Sequence, residues 1–229
     1  MIKTRLLQAF RRSASPVRWH ALRSTRPVSG VFGLDRGTPI DRYYMEKFLF
    51  ANEAVIRGCV LEIAENTYTR KYGGAKVTKS EILHFTGDNP DATIIGDLTH
   101  PSSLPEDRVD CFICTQTFNF IYDFRKAIQG AHHVLRKDGT LLATLGGISQ
   151  ISRYDMDRWG DYWRFTVLSA RLAFEEVFGQ GNVQVASYGN VLSSISFLEG
   201  ISAEELSPAE LDYPDVDYQM LISIVACKK

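Results

Sequence analysis

The stretch Gly58-Cys59-Val60-Leu61-Glu62-Ile63-Ala64-Glu65-Asn66 decides how the chain is read. Cys59 to Ile63 is a short apolar run of mostly β-favouring residues. That is the pattern of a strand buried on both faces, as in a parallel sheet. Glu62 interrupts the run. An unpaired carboxylate inside a sheet is costly, so Glu62 is expected at the carboxyl end of the strand, accepting hydrogen bonds. Open α/β sheets bind ligands along that edge.

Outward from this strand the same alternation repeats. Ala75 to Leu83 reads as a second strand and Ala92 to Thr99 as a third, separated by the turn signal Asn89-Pro90. Val109 to Thr117 reads as a fourth. Phe118 to Leu135 then reads as a helix, closed by the basic and glycine-bearing Arg136-Lys137-Asp138-Gly139. Leu141 to Leu145 is a fifth strand. Thr166 or Ser169 suits the cap of a helix that reaches Phe178, and Val183 to Tyr188 is a sixth strand. Helical pieces follow over Val191 to Glu210, and Tyr218 to Cys227 is apolar enough for a final edge strand. Strand and helix in alternation predict an α/β three-layer sandwich.

Composition sets the outer limits. The 229 residues are 45% hydrophobic and 23% charged, with a formal net charge of -1. That suits one large α/β domain and does not point to nucleic acid as a partner. No apolar run is long enough for an integral membrane segment. Cys59, Cys111, Cys114 and Cys227 lie in apolar, strand-like stretches, as buried thiols do in a reducing, cytoplasmic setting. An offset of three on a strand sends Cys111 and Cys114 to opposite faces, so no metal or redox pair is expected there.

Met1 to Leu34 contains no acidic residue and carries Lys3, Arg5, Arg11, Arg12, Arg18, Arg23 and Arg26. Leu6, Leu7 and Phe10 suit one face of a short helix. Three readings compete: a flexible basic arm, a surface for an acidic partner or an anionic membrane, and an organelle transit peptide. The arm, over residues 1–31, ranks first, with the domain occupying 32–229. In the next stretch Thr38 suits an N-cap, Pro39 the first helical position and Asp41 the N-terminal dipole. This helix is expected to run to Ile56, with Ile40, Tyr44, Phe48 and Leu49 inward. Asp35, Arg36, Arg42 and Tyr43 at its start read equally as surface ion pairs or as a lid whose arginines grip a carboxylate or phosphate.

The opening stretch resembles the first motif of class I S-adenosylmethionine-dependent methyltransferases, where an acid ends the first strand and a glycine-rich turn follows. Here the turn Ala64-Glu65-Asn66-Thr67-Tyr68 lacks those glycines, and Thr67 to Gly74 is short for the family's first crossover helix. The likeness covers roughly Phe32 to Lys229. It implies a Rossmann-like seven-stranded sheet with an antiparallel last strand, and S-adenosylmethionine as cofactor. It further implies that Glu62, Ala64 and Asn66 contact the cofactor, that Glu81 meets the ribose hydroxyls, and that Asp97 and Leu98 frame adenine. Thr115 and Gln116 would face the sulfonium, with Tyr43 or Trp163 favouring it through cation–π contact.

The blocks Arg36-Gly37-Thr38-Pro39-Ile40-Asp41-Arg42-Tyr43-Tyr44 and Trp159-Gly160-Asp161-Tyr162-Trp163-Arg164-Phe165-Thr166 are similar to those of bacterial methyltransferase-domain proteins found with glycosyltransferases of surface-glycan synthesis. That likeness implies a saccharide acceptor. Aromatics with interleaved acids suit sugars, because ring faces pack on C–H surfaces while carboxylates take hydroxyl bonds. Arg36, Arg42, Trp159, Trp163 and Arg164 are the expected acceptor contacts. Asp161 is the first candidate base for removing a hydroxyl proton, with His84 or His100 behind it. The alternative is a degenerate methyltransferase fold that serves as a binding or scaffolding module. A Rossmann-type oxidoreductase ranks last, since no Gly-x-Gly-x-x-Gly follows the first strand.

Overall fold

The computed structural model describes Phe10 and residues 23–229. The basic arm expected over 1–31, with its helical face of Leu6, Leu7 and Phe10, therefore lies outside the described residues except for Phe10 and 23–31. Ser29 is 2% exposed, and its amide donates to Glu199 O at 3.0 Å. The packed body thus reaches a few residues ahead of the expected boundary.

From Ile40 onward the order is helix α1 (Ile40–Ala51), then strands β1 (Gly58–Ile63), β2 (Val77–His84), β3 (Ile94–Ile95) and β4 (Val109–Thr115). Helix α2 (Phe124–Val134), strand β5 (Leu135–Gly146), the short α3 (Arg153–Met156) and helix α4 (Val167–Phe178) follow. Strand β6 (Val183–Tyr188), helix α5 (Val191–Glu199), the short α6 (Pro208–Leu211) and strand β7 (Leu221–Cys227) complete the order. The seven strands form one sheet in the order β3-β2-β1-β4-β5-β7-β6. The pairs β1–β2, β1–β4, β2–β3 and β4–β5 are parallel, while β7 runs antiparallel to both its neighbours. Strand order reverses between β1 and β4, which opens a crevice at their carboxyl ends.

Apolar side chains on both faces of the central strands give the sheet its two covers. Phe112 and Cys114 pack on the side of Ile128, Ala131 and Phe174 from α2 and α4. Cys111 and Ile113 face Ile40, Tyr44, Phe48 and Leu49 from α1, together with Phe197 from α5. Each large side chain buried this way contributes roughly 1.5–3 kcal/mol. The two cysteines do lie on opposite faces, and the inward residues expected of α1 are all buried.

Several boundaries differ from expectation for local reasons. Helix α1 is capped by Pro39, not Thr38. The Thr38 amide and hydroxyl instead donate to the Glu204 carboxylate, at 2.9 and 2.6 Å. The third strand shrinks to Ile94–Ile95, because Thr93 Oγ1 takes over one rung of the ladder by accepting from Ile82 N. Helix α2 starts at Phe124 because Asp123 accepts from Lys126 N, and Phe118–Phe120 is a separate 3-10 turn. Leu135 to Gly139 joins β5 rather than forming a turn. Finally, β7 is not an edge strand; it lies between β5 and β6, and β6 is the edge.

Gly58 has φ +70, and a Cβ there would meet Asp110 Oδ2 at 2.3 Å, the same oxygen that accepts from Cys59 N at 2.7 Å. Left-handed backbone costs a residue with a side chain about 1–2 kcal/mol, before any loss of that bond. Gly58→Ala is therefore expected to lower unfolding free energy by about 2–3 kcal/mol, read as an earlier urea midpoint with unchanged slope.

Candidate active site

The carboxyl end of β1 is built around Glu62, which is 3% exposed. Its Oε1 accepts from Tyr68 N at 3.1 Å, and its Oε2 accepts from Thr69 N and Thr69 Oγ1, both at 2.8 Å. Burial raises its pKa, and these three donors pull it only part of the way back. The carboxylate therefore ties the strand to the turn that follows. Ala64 in that turn has φ 64, the left-handed conformation that glycine adopts freely. Its amide donates to Leu83 O at 2.9 Å, and its carbonyl accepts from Asn89 Nδ2 at 2.8 Å. The turn keeps the curvature of a glycine turn without the glycine. Asn66 Nδ2 donates sideways to Ser80 Oγ at 3.1 Å.

The other expected acids are placed differently. Glu81 lies inside β2, beside Leu61 of β1, rather than at the strand tip. Its Oε1 is 2.6 Å from Lys79 Nζ and 2.8 Å from Arg108. Burial pushes Glu81 up, but Lys79, Thr93 and Arg108 together hold it down at about 2. It is an ion-pair partner within the sheet, not a free acceptor at the edge. Asp97 accepts from Thr99 N and meets His100 Nδ1, both at 2.8 Å. His100 is mostly exposed, and His84 Nδ1 lies 2.9 Å from Thr86 O. Leu98 is a core residue, packed with its carbonyl against Gly130 of α2.

A cavity of about 580 Å³ opens where β4 and β5 end. Gln116, Asn119, Gly146 and Gln150 line its floor, Asp41, Arg42 and Met45 of α1 one wall, and Val31, Phe32 and Leu34 another. Asn119 organises it. Asn119 Oδ1 accepts from Gly146 N at 3.2 Å, and its carbonyl accepts from Tyr162 N and Trp163 N at 3.0 and 3.2 Å. The aromatic segment is thus held against the end of β5. From there it reaches across the crevice to β2, where the Trp159 ring stands edge-on to His84 and Phe85, 6.2 Å from each.

Asp161 lines the cavity, yet its carboxylate is bonded by Ser152 N at 3.0 Å and by both terminal nitrogens of Arg164. Burial works to raise its pKa, but Arg164 and the Ser152 amide outweigh it and hold it below the usual carboxylate range. The carboxylate and guanidinium expected to serve as base and acceptor contact are therefore committed to each other. Arg36 is paired with Glu205, its Nε 2.9 Å from Oε1. Tyr43 OH donates to Asp212 at 3.0 Å on a different surface. Trp163 Nε1 donates to Tyr122 O at 3.0 Å, and its ring packs on Phe124. Of the expected site residues, the cavity gathers Arg42, Gln116, Asp161 and Arg164. Thr115 is one residue behind it, on the end of β4.

Three further lining residues stand out. Asn119 sits in a stretch that reads as helix. Gln150 Nε2 is buried with no hydrogen-bond partner among the described residues. Asp41, read from sequence as a helix-dipole partner, is half-buried in the cavity wall, where its Oδ1 accepts from Arg42 N at 2.8 Å. Burial pushes its carboxyl up to about 6, against the pull of the Arg42 amide and charge. No pattern in the sequence separates such a residue from an ordinary first-turn aspartate.

Residues 58–143, less than half of the chain, match the family described as a methyltransferase domain. No curated protein matches the chain. Among solved structures, the chain is similar to a protein of Haloferax volcanii solved in complex with the Trm112 methyltransferase activator, at 15% identity and TM-score 0.54, over 82% of this chain and 90% of that one. An S-adenosylmethionine-dependent methyltransferase of Archaeoglobus fulgidus gives 11% identity and TM-score 0.53, over 82% and 94%. The [4+2]-cyclase SpnF gives 14% identity and TM-score 0.52, over 90% and 87%. The chain has the Rossmann-like fold of class I methyltransferases. The matched family uses S-adenosylmethionine.

Two outcomes are expected from this geometry. Ala64→Gly relieves a left-handed side-chain residue and raises stability by about 0.5–1 kcal/mol, seen as a later denaturant midpoint. Because the folded chain holds Glu81 down at about 2, that group adds stability above the ordinary carboxylate pKa and loses it as pH falls toward 2. Arg108→Ala removes part of that hold, so acid unfolding monitored by circular dichroism begins at a higher pH.

Proposed function

We propose that the chain is an S-adenosylmethionine-dependent methyltransferase acting on a hydroxyl group, with a saccharide or glycoconjugate as acceptor. What carries the reading is the cavity of about 580 Å³ beside the carboxyl ends of β4 and β5, on a sheet in the methyltransferase strand order. Small-molecule sites commonly span about 300–1,000 Å³. In this reading the turn at Ala64 and Asn66 and the Asp97–Leu98 segment hold the nucleoside end of the cofactor, and Thr115 and Gln116 face its reactive end. The retained curvature at Ala64 fits the close approach of a ligand to the backbone there. When bound, the cofactor supplies a methyl group activated by a positively charged sulfur.

The chain's own residues position the acceptor. The Tyr154 ring at the cavity rim offers a face for sugar C–H groups. Arg42 and Arg153, also on the rim, suit an acceptor that carries phosphate or carboxylate. Phe120, Phe197 and Met220 keep water from the floor. Alignment of this kind can supply up to about 7–11 kcal/mol of the barrier.

A second reading, the degenerate scaffold, draws on Glu81. With its carboxylate held by Lys79 and Arg108, β2 presents no acid to a ribose. Titration calorimetry with S-adenosylmethionine and its demethylated product separates the two. Binding in the micromolar range, about −8 kcal/mol, with a matching rise in melting temperature, is the outcome expected for the enzyme. No heat and no thermal shift with either compound would leave the scaffold.

A further inference from the structure

Helix α5 is built inside out. Its buried residues are Ser193, Ser194, Ser196 and Phe197. Val191, Leu192, Ile195 and Leu198 are instead 39% to 46% exposed. At about 100° per residue these four share an arc of about 120°, so the outward face of the helix is continuous hydrocarbon. The helix carries one charge, Glu199, at its carboxyl end. A segment bearing the exposed side chains of Val28, Val31 and Leu34 is tied to that end. Ser29 N in it donates to Glu199 O at 3.0 Å, and its Phe32 ring packs on Phe197 with the centroids 5.6 Å apart. Val31 and Leu34 also line the cavity, so this apolar surface adjoins the cavity wall.

Size and charge decide what covers this face. A nine-residue helix is about 13 Å long, and one face of it offers far less than the roughly 800 Å² that each partner of a stable protein complex buries. Residues 1–34 contain seven Lys and Arg and no acid, and all 27 Asp and Glu come after them. Arg23 and Arg26 are exposed, and Arg26, three residues from Ser29, stands within about 11 Å of it. The basic stretch is thus held at the carboxyl end of the apolar face. The acids of the Asp212–Asp217 loop lie at the other end of the helix, where Asp215 N donates to Gly189 O at 3.0 Å. Hydrocarbon edged by cations suits the headgroup layer of an anionic bilayer. We propose that the outward face of α5, with the basic stretch that begins at its carboxyl end, docks this protein on an anionic lipid surface. The contact is peripheral, since among the described residues no helix is long and apolar enough to cross a membrane. Docking of this kind is independent of the methyltransferase reading and needs no cofactor.

Flotation of the full chain with defined vesicles tests this. Wild type should float with vesicles of phosphatidylcholine and phosphatidylglycerol in equal parts, not with phosphatidylcholine alone, and less as added salt screens the arginines. Ile195→Gln with Leu198→Gln should weaken that affinity about 10-fold or more, and Val191→Gln with Leu192→Gln repeats the test on the neighbouring turn. Arg23→Ala with Arg26→Ala should weaken it about 5-fold per arginine. Leu168→Gln with Leu172→Gln strips exposed hydrocarbon from α4, on the opposite cover of the sheet, and should float as wild type does. All the substituted side chains are exposed, so each variant should melt as wild type does. Wild type that stays unbound to the anionic vesicles overturns the proposal. So does flotation of both α5 variants at the wild-type level, which would leave the basic stretch binding alone. Sedimentation covers a second copy as occupant: a wild-type dimer that the α5 variants turn to monomer, with no flotation of either, makes the face a self-contact and overturns lipid docking.

Discussion

The buried Glu62 carboxylate is the constraint on which the rest of the structure depends. Left alone at the end of a two-sided buried strand, it would cost several kcal/mol. Three donors from Tyr68 and Thr69 offset part of that cost, and in doing so they fix the path of the chain out of β1. The turn at Ala64 is left-handed because this path requires it. From that turn follow the pairing of Ala64 with Leu83 and the position of Tyr68 beside α1. The crevice at the strand-order reversal is therefore shaped from below by one acid and the backbone it holds.

Above it, the site is stapled by backbone more than by side chains. Asn119 grips both Gly146 and the amides of Tyr162 and Trp163, and Phe165 N donates to Gly146 O at 2.9 Å. Arg164 then closes the segment on itself through Asp161 and Gln150 O. The tight approach leaves no room at Gly146, where a Cβ would meet Asn119 Nδ2 at 2.6 Å. The charged residues that mark this segment in the sequence hold its shape, and the groups open to a ligand are the quieter ones beside them.

That division explains what could be read from the sequence. Strand runs such as Cys59–Ile63 and Val109–Thr115 carry their burial in their composition, so sheet and layers were legible, as was the cap at Thr166. The likeness to a known family supplied the seven strands and the antiparallel direction of the last one, but not its place inside the sheet. Positions near the edge were less legible. Glu81 stands near a strand end in the sequence, but the register with β1 puts it mid-sheet, and Arg108, distant in sequence, is what holds it. Arg36 and Asp161 look available until their partners Glu205 and Arg164 are seen. Asp41 differs from a routine first-turn acid only through three-dimensional burial, which no local pattern encodes.

The insertion of β7 between β5 and β6 also bears on how the chain is made. Every other strand precedes β7 in the sequence, yet β7 bridges β5 to β6 along most of their length. During synthesis β5 and β6 must wait, with an apolar strip unpaired, until that last stretch leaves the ribosome. Such non-local closure is slow, and the waiting intermediate exposes surface that invites aggregation. Folding in the cell thus becomes a race between the arrival of β7 and unwanted encounters with other nascent chains.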